Sequence, residues 1–182
     1  MNATTATRAL LDACPDALVV AALGTAVSAL REASDDGPHL YMGGAMGSAL
    51  GVALGVADRR PERQVLAIVG DGETLMGAST LWSLASLRPP NLLVAILADG
   101  RYAITGAQDL GAETRFPAVA EALGLATASA AREADVTAAA RALTGRTALL
   151  EIRYADPTWP GPSPFVDPPV VRARFESHAA RR

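Results

Sequence analysis

Apolar positions along the chain fall into two kinds of pattern. Unbroken runs of branched apolar residues occupy Leu18–Leu23, Val65–Val69 and Leu92–Leu97, and a further strand-like segment runs from Thr147 to Tyr154. Runs of strand length without polar alternation fit strands covered on both faces, as in a parallel sheet. Between them lie helix-length segments at Thr7–Ala13, Ala26–Ala33, Leu75–Leu87, Pro117–Leu123 and Asp135–Leu143, with a short strand at Ala126–Ser129. Thr25 stands where an N-cap belongs, Gly124 where a C-cap belongs, and Pro15-Asp16 and Pro89-Pro90 act as stops. Alternating strands and helices predict an α/β fold with a parallel central sheet and helices on both faces.

Three stretches have weaker signals. Leu40–Ala57 is nearly uncharged, and its Gly47, Gly51 and Gly55 recur every fourth position. That predicts a buried helix with a leading loop at Gly43-Gly44 and one face bare of side chains. The segment after Tyr102, ITGAQDLGAETRF, has no clear period and is expected to be a loop or short helix. From residue 156 onward prolines crowd the chain at 157, 160, 162, 164, 168 and 169, which predicts an extended tail over residues 156–182, with a closing helical turn at Arg172–His178. Residues 1–182 are expected to form one domain.

Composition removes several function classes. Half of the residues are apolar, so a core is affordable, while only 4% are aromatic, which disfavours an aromatic-rich β core. A net charge of −3 and no basic run beyond Arg59-Arg60 and Arg181-Arg182 argue against a nucleic-acid partner. Cys14 is the lone cysteine, on an apolar helical pattern, and is read as a small buried hydrophobe. No signal-peptide pattern opens the chain, and Leu40–Ala57 is too glycine-rich to favour a membrane span, so a cytoplasmic protein is expected.

The chemistry concentrates where two apolar runs end. Val65–Val69 leads to Asp71-Gly72, and Leu92–Leu97 leads to Asp99-Gly100. A strand–helix–parallel strand unit would bring both carboxylates side by side at the C-terminal edge of the sheet, where open α/β sheets bind ligands. Paired carboxylates suit a hard divalent cation, Mg²⁺ or Ca²⁺, bridged to phosphate oxygens. Gly72 allows close approach of backbone N–H groups, and the helix starting near Glu73 adds its dipole. A dinucleotide-binding domain is disfavoured, because no G-x-G-x-x-G opens a helix.

The GDG at 70–72, followed after a helix and a strand by an acidic residue and glycine, resembles the thiamine diphosphate signature. GGAMG before the first of these strands, ADGRYAITGAQ after the second and the proline-rich tail up to Arg174-Phe175 resemble the phosphonopyruvate and sulfopyruvate decarboxylase branch. The resemblance covers about Leu10 to Phe175 and implies the diphosphate-binding domain of a beta subunit. It implies that Asp71, Asp99 (usually asparagine in the family) and the Arg101 carbonyl bind Mg²⁺. It also implies that the N–H groups of Gly72 and Glu73, with Gly24 and Thr25 opposite, hold the diphosphate, next to Tyr102. The Gly44 carbonyl would accept from the cofactor's 4′-amino group, and Met46 would wedge between its rings to enforce the bent conformation. Ala45 replaces a more usual serine.

The activating glutamate of such enzymes belongs to a second, pyrimidine-binding domain, and none of Glu32, Glu62 or Glu113 has the context for it. The resemblance therefore implies an alpha subunit of similar size as partner. A small 2-oxo acid with an anionic head would need cations or donors, for which His39, Arg101 and Arg115 are the candidates, His39 also as a proton shuttle at the pocket rim. Tyr102, Thr105 and Gln108 are expected to face substrate or partner, or simply to pack the loop. Trp82 and Trp159 are expected to pack in the core and the tail. Decarboxylation to an aldehyde leads; carboligation and a non-catalytic, stabilising subunit are the alternatives.

Overall fold

The computed structural model describes residues 1–156 and 158–180. Pro157 of the proline-rich stretch and the terminal Arg181-Arg182 lie outside the described residues. Six parallel strands form the central sheet: β1 (Leu18–Ala21), β2 (His39–Tyr41), β3 (Val65–Gly70), β4 (Leu92–Ala98), β7 (Ala126–Ala130) and β8 (Ala148–Arg153). Their spatial order is β2-β1-β3-β4-β8-β7. A small antiparallel ribbon, β5 (Arg101–Tyr102) with β6 (Gln108–Asp109), stands apart and encloses a 3₁₀ turn at Ala103–Thr105. β3 and β4 are buried along almost their whole length, as their unbroken apolar runs require.

Helices cover both faces. α1 (Ala3–Ala13), α2 (Thr25–Ala33) and α7 (Glu133–Leu143) pack together on one. α3 (Ala49–Arg59), α4 (Asp71–Met76), α5 (Thr80–Leu87) and α6 (Phe116–Ala122) carry the chain in the opposite direction across the sheet and, by the right-handed crossover rule, lie on the other. β1 connects toward β2 on one side, whereas β3 connects toward β4 on the other. The C-terminal ends of β1 and β3 therefore flank the reversal of strand order, where a crevice forms. Cys14 is buried, and burial pushes its thiol pKa up, in keeping with a packing role.

Several expectations need correction. The predicted helix Leu75–Leu87 is two helices, one ending at Met76 and the next starting at Thr80; at the break stands Gly77, where a Cβ would fall onto the Gly47 carbonyl. Leu40 lies in β2, not in a helix; α3 begins only at Ala49, and Gly47 sits before it with φ +86°. Gly51 and Gly55 are exposed on α3. Thr25 is the first helical residue and makes no cap; Gly24 occupies the N-cap with φ +95°.

The tail is not extended to its end. α8 (Pro168–Ala179) uses its prolines at the first helical positions, where the missing N–H costs nothing, and buries Val171 and Phe175 against the sheet next to edge strand β2. Trp82 is 58% exposed rather than in the core, and Leu75 and Met76 are exposed as well. Among the described residues no helix is long and apolar enough to cross a membrane.

Candidate cofactor site

The crevice at the ends of β1 and β3 is a narrow, open cleft. The β1–α2 turn lines one side with Gly24 and Thr25, and the β3–α4 turn supplies Asp71 and Gly72. Asp99, Arg101 and Tyr102 come from the segment after β4, and Met46 from the loop after β2. Leu23, Ile104 and Tyr154 complete the walls. Residues far apart in sequence thus meet because parallel strands put all their C-terminal ends on one edge.

Asp71 is the centre of this arrangement. It is 1% exposed, and its two carboxylate oxygens accept from the N–H of Gly72 at 2.8 Å and of Gly100 at 2.7 Å. Burial pushes its pKa up to about 6; the Gly100 and Gly72 N–H groups pull the other way, and the Asp99 charge raises it further. Asp99 accepts from the Arg101 N–H at 3.1 Å and from the Tyr154 hydroxyl at 3.3 Å. Burial and the acidic pair push the Tyr154 pKa far above the ordinary phenol range, so it remains a donor. Two carboxylates held this close, one of them desolvated, match the donor chemistry of a divalent cation site. Among the described residues no group of three or more His, Cys, Asp or Glu is gathered around a metal position.

The ribbon closes over the glycines of the cleft. A Cβ on Gly72 would lie 2.6 Å from the Tyr102 ring, and one on Gly24 would meet Ile104 at 3.4 Å. Thr105 and Gln108 bond each other across the ribbon's turn, at 2.8 and 2.9 Å, and so pack that turn. On the other side of the acidic pair, buried Glu151 pairs with Arg153 at 2.7 Å, and Arg153 also reaches Glu113 at 3.7 Å.

Other predicted residues fall outside the cleft. His39 is not on the pocket rim: it lies at the start of β2, two residues before the strand's C-terminal end, and is 2% exposed. Burial and the Arg174 charge hold its pKa down to about 4, which leaves it neutral. Gly44 is exposed with φ +85°, two residues before Met46 on the same loop. Glu73 is buried behind the cleft. Arg115 pairs with Glu113 at 3.5 Å on the surface, leaving Arg101 as the one of those three candidates that lines the cleft. Sequence reasoning missed Tyr154, which only the adjacency of β8 to β4 brings to Asp99.

Residues 19–152 match the thiamine pyrophosphate enzyme family, at its C-terminal TPP-binding domain. The chain belongs to that family. It is 38% identical over 178 residues to a phosphonopyruvate decarboxylase from Streptomyces hygroscopicus, a match covering 94% of this chain and 44% of the relative. It is 38% identical over 110 residues to a sulfopyruvate decarboxylase subunit beta from Methanothermobacter thermautotrophicus, covering 60% of this chain and 59% of the relative. The chain thus spans about half the length of the curated relatives it matches. Among solved structures, a thiamine diphosphate-dependent 4-hydroxybenzoylformate decarboxylase from Rhodococcus jostii superposes with a TM-score of 0.69 at 25% identity, over 85% of this chain and 33% of that one. The α/β fold, with its parallel sheet between helices, is that of the family's diphosphate-binding domain.

Proposed function

We propose that this chain is the beta-type, diphosphate-binding part of a thiamine diphosphate- and Mg²⁺-dependent decarboxylase. Its substrate would be phosphonopyruvate, sulfopyruvate or a similar small 2-oxo acid, its products an aldehyde and CO₂. The observation that carries this reading is the cleft in which buried Asp71 faces Asp99 beside the Gly24 turn and Met46. The relatives' names support the branch and the substrate class.

Asp71, Asp99 and the Arg101 carbonyl would hold Mg²⁺. The N-terminal turn of α4 would take the diphosphate: its first N–H groups have no partner within the helix. In the present geometry the Gly72 N–H donates to Asp71, which leaves the Glu73 N–H as the better placed of the two. The Gly24–Thr25 turn would flank the diphosphate, Met46 would support the bend between the rings, and the Gly44 carbonyl would hold the pyrimidine. Thiamine diphosphate, when bound, supplies the electron sink for carbon–carbon cleavage. Tyr154 keeps Asp99 oriented, the Tyr102 ring shields the floor at Gly72 from water, and Arg101 is the cation available to an anionic substrate head. The activating glutamate would come from a pyrimidine-binding domain on a separate alpha subunit.

The test is co-purification of the chain with thiamine diphosphate and Mg²⁺ present, followed by assay of the complex and of its Asp71→Ala variant. A companion subunit, 2-oxo acid-dependent CO₂ release and its loss in the variant support the proposal. Unchanged activity on replacing Asp71 would make the subunit structural, and acyloin products in place of aldehyde would make the reaction a carboligation.

A further inference from the structure

The Met46 loop is held less by its own strand than by α4. Gly43 and Gly44, at its start, would meet nothing within 4 Å even with a Cβ added. Its other end runs into α3, whose N-cap residue Ser48 makes no side-chain cap; the Ser48 hydroxyl donates instead to the Ala45 carbonyl at 2.6 Å. The free N–H at the head of α3 is taken by a side chain from another helix: Glu73 Oε1 accepts from Ala49 N–H at 3.2 Å. Glu73 is 5% exposed, and its Oε2 is buried without a partner. A carboxylate in that position opposes the positive end of α3. At the far end of the six-residue α4, the backbone of Gly77 lies against that of Gly47, with no room for a Cβ at Gly77 and only a tight fit for one at Gly47.

We propose that Glu73 is a positioning residue: its buried carboxylate bolts the Met46 loop and the head of α3 to α4, the helix that begins with Asp71. This rests on the proposed function and extends it. The part of the site that would hold the rings is fixed relative to the part that would hold the metal and diphosphate by one side chain, with the Gly47–Gly77 contact as the second bolt. Met46 then needs no rigid strand behind it, and a small shift of α4 moves both halves of the site together.

The test compares the full-length parent chain with Glu73→Met, which keeps volume but removes the acceptor, and Glu73→Gln, which keeps an acceptor oxygen. Hydrogen–deuterium exchange is read at residues 45–50 and, as a reference, at β4. Mg²⁺-dependent binding is measured separately for inorganic diphosphate and for thiamine diphosphate. Glu73→Met is expected to raise exchange at 45–50 and weaken thiamine diphosphate binding by about tenfold each, the scale of one buried charge-assisted hydrogen bond. Exchange in β4 stays at the parent level, binding of inorganic diphosphate, which would use the Glu73 backbone N–H and not its side chain, falls less than that of thiamine diphosphate, and Glu73→Gln restores the parent behaviour.

Unchanged exchange at 45–50 overturns the proposal. So does a rise in both segments with loss of inorganic diphosphate, which marks a merely structural residue. Should Glu73→Met not fold, Gly77→Ala disturbs the same clamp from its other end and must loosen 45–50 selectively. Failure of both ligands to bind to the parent chain and to its complex with the alpha subunit overturns the cofactor assignment, and the exchange comparison still decides the clamp.

Discussion

Burial raises the Asp71 pKa, and the neighbouring Asp99 charge adds to that rise. With its pKa at about 6, folded Asp71 binds more protons than the unfolded chain between roughly pH 4 and 6. Its contribution to stability therefore falls as pH rises through that window, by an amount of roughly 2–3 kcal/mol. Asp99→Asn keeps an acceptor for the Arg101 N–H and removes the charge. Carboxyl ¹³C titration by NMR should then show Asp71 ionising at lower pH. Buried His39 works in the opposite direction: with its pKa near 4, the unfolded chain binds more protons between about pH 4 and 6.5, so His39 costs stability as pH falls. His39→Gln should remove that acid-side loss, read as urea midpoints that rise relative to the parent's as pH falls from 7 to 4.5. The two acids were legible in the sequence because each ends an apolar run and precedes a glycine. His39 was not: a three-residue strand after Pro38 has no period to detect, so its burial depends on partners far along the chain.

At the level of elements, long strands were readable and close contacts were not. β3 and β4 declare themselves by composition, whereas at the break between α4 and α5 Gly77 meets Gly47, which approaches from a different segment. Gly77→Ala should destabilise the chain by about 1–3 kcal/mol, as overpacking of a tight contact does, measured by chemical denaturation. The prolines of the tail suggested extension, yet two of them open a helix whose remaining turns carry Val171 and Phe175 inward. Arg174 of that helix lies over the Tyr41 ring, 5.1 Å from its centroid, and so fastens α8 to the end of β2. Phe175→Ala should cost about 3 kcal/mol, in line with other buried aromatic truncations, and thermal melts would show it. The ribbon at 101–109 escaped detection because its strands are two residues each.

On the scale of the whole molecule, the stretch from Leu75 to Trp82 leaves three large apolar side chains, Leu75, Met76 and Trp82, exposed. Under the proposed function it should be covered on assembly. Trp82 emission should shift to the blue when the alpha subunit is added, with a Trp82→Phe chain as the control that assigns the change; an unshifted spectrum would place the partner elsewhere. The strand order has a consequence for how such a chain is made. β8, the last of this sheet's strands in chain order, sits between β4 and β7, and among the described residues β7 pairs with no other strand. Until residue 153 has emerged, the nascent sheet keeps the apolar edge of β4 open and β7 has nothing to join. A message cut short before β8 would thus yield not a smaller domain but a sticky fragment, and quality control during synthesis turns on the completion of one late, interior strand.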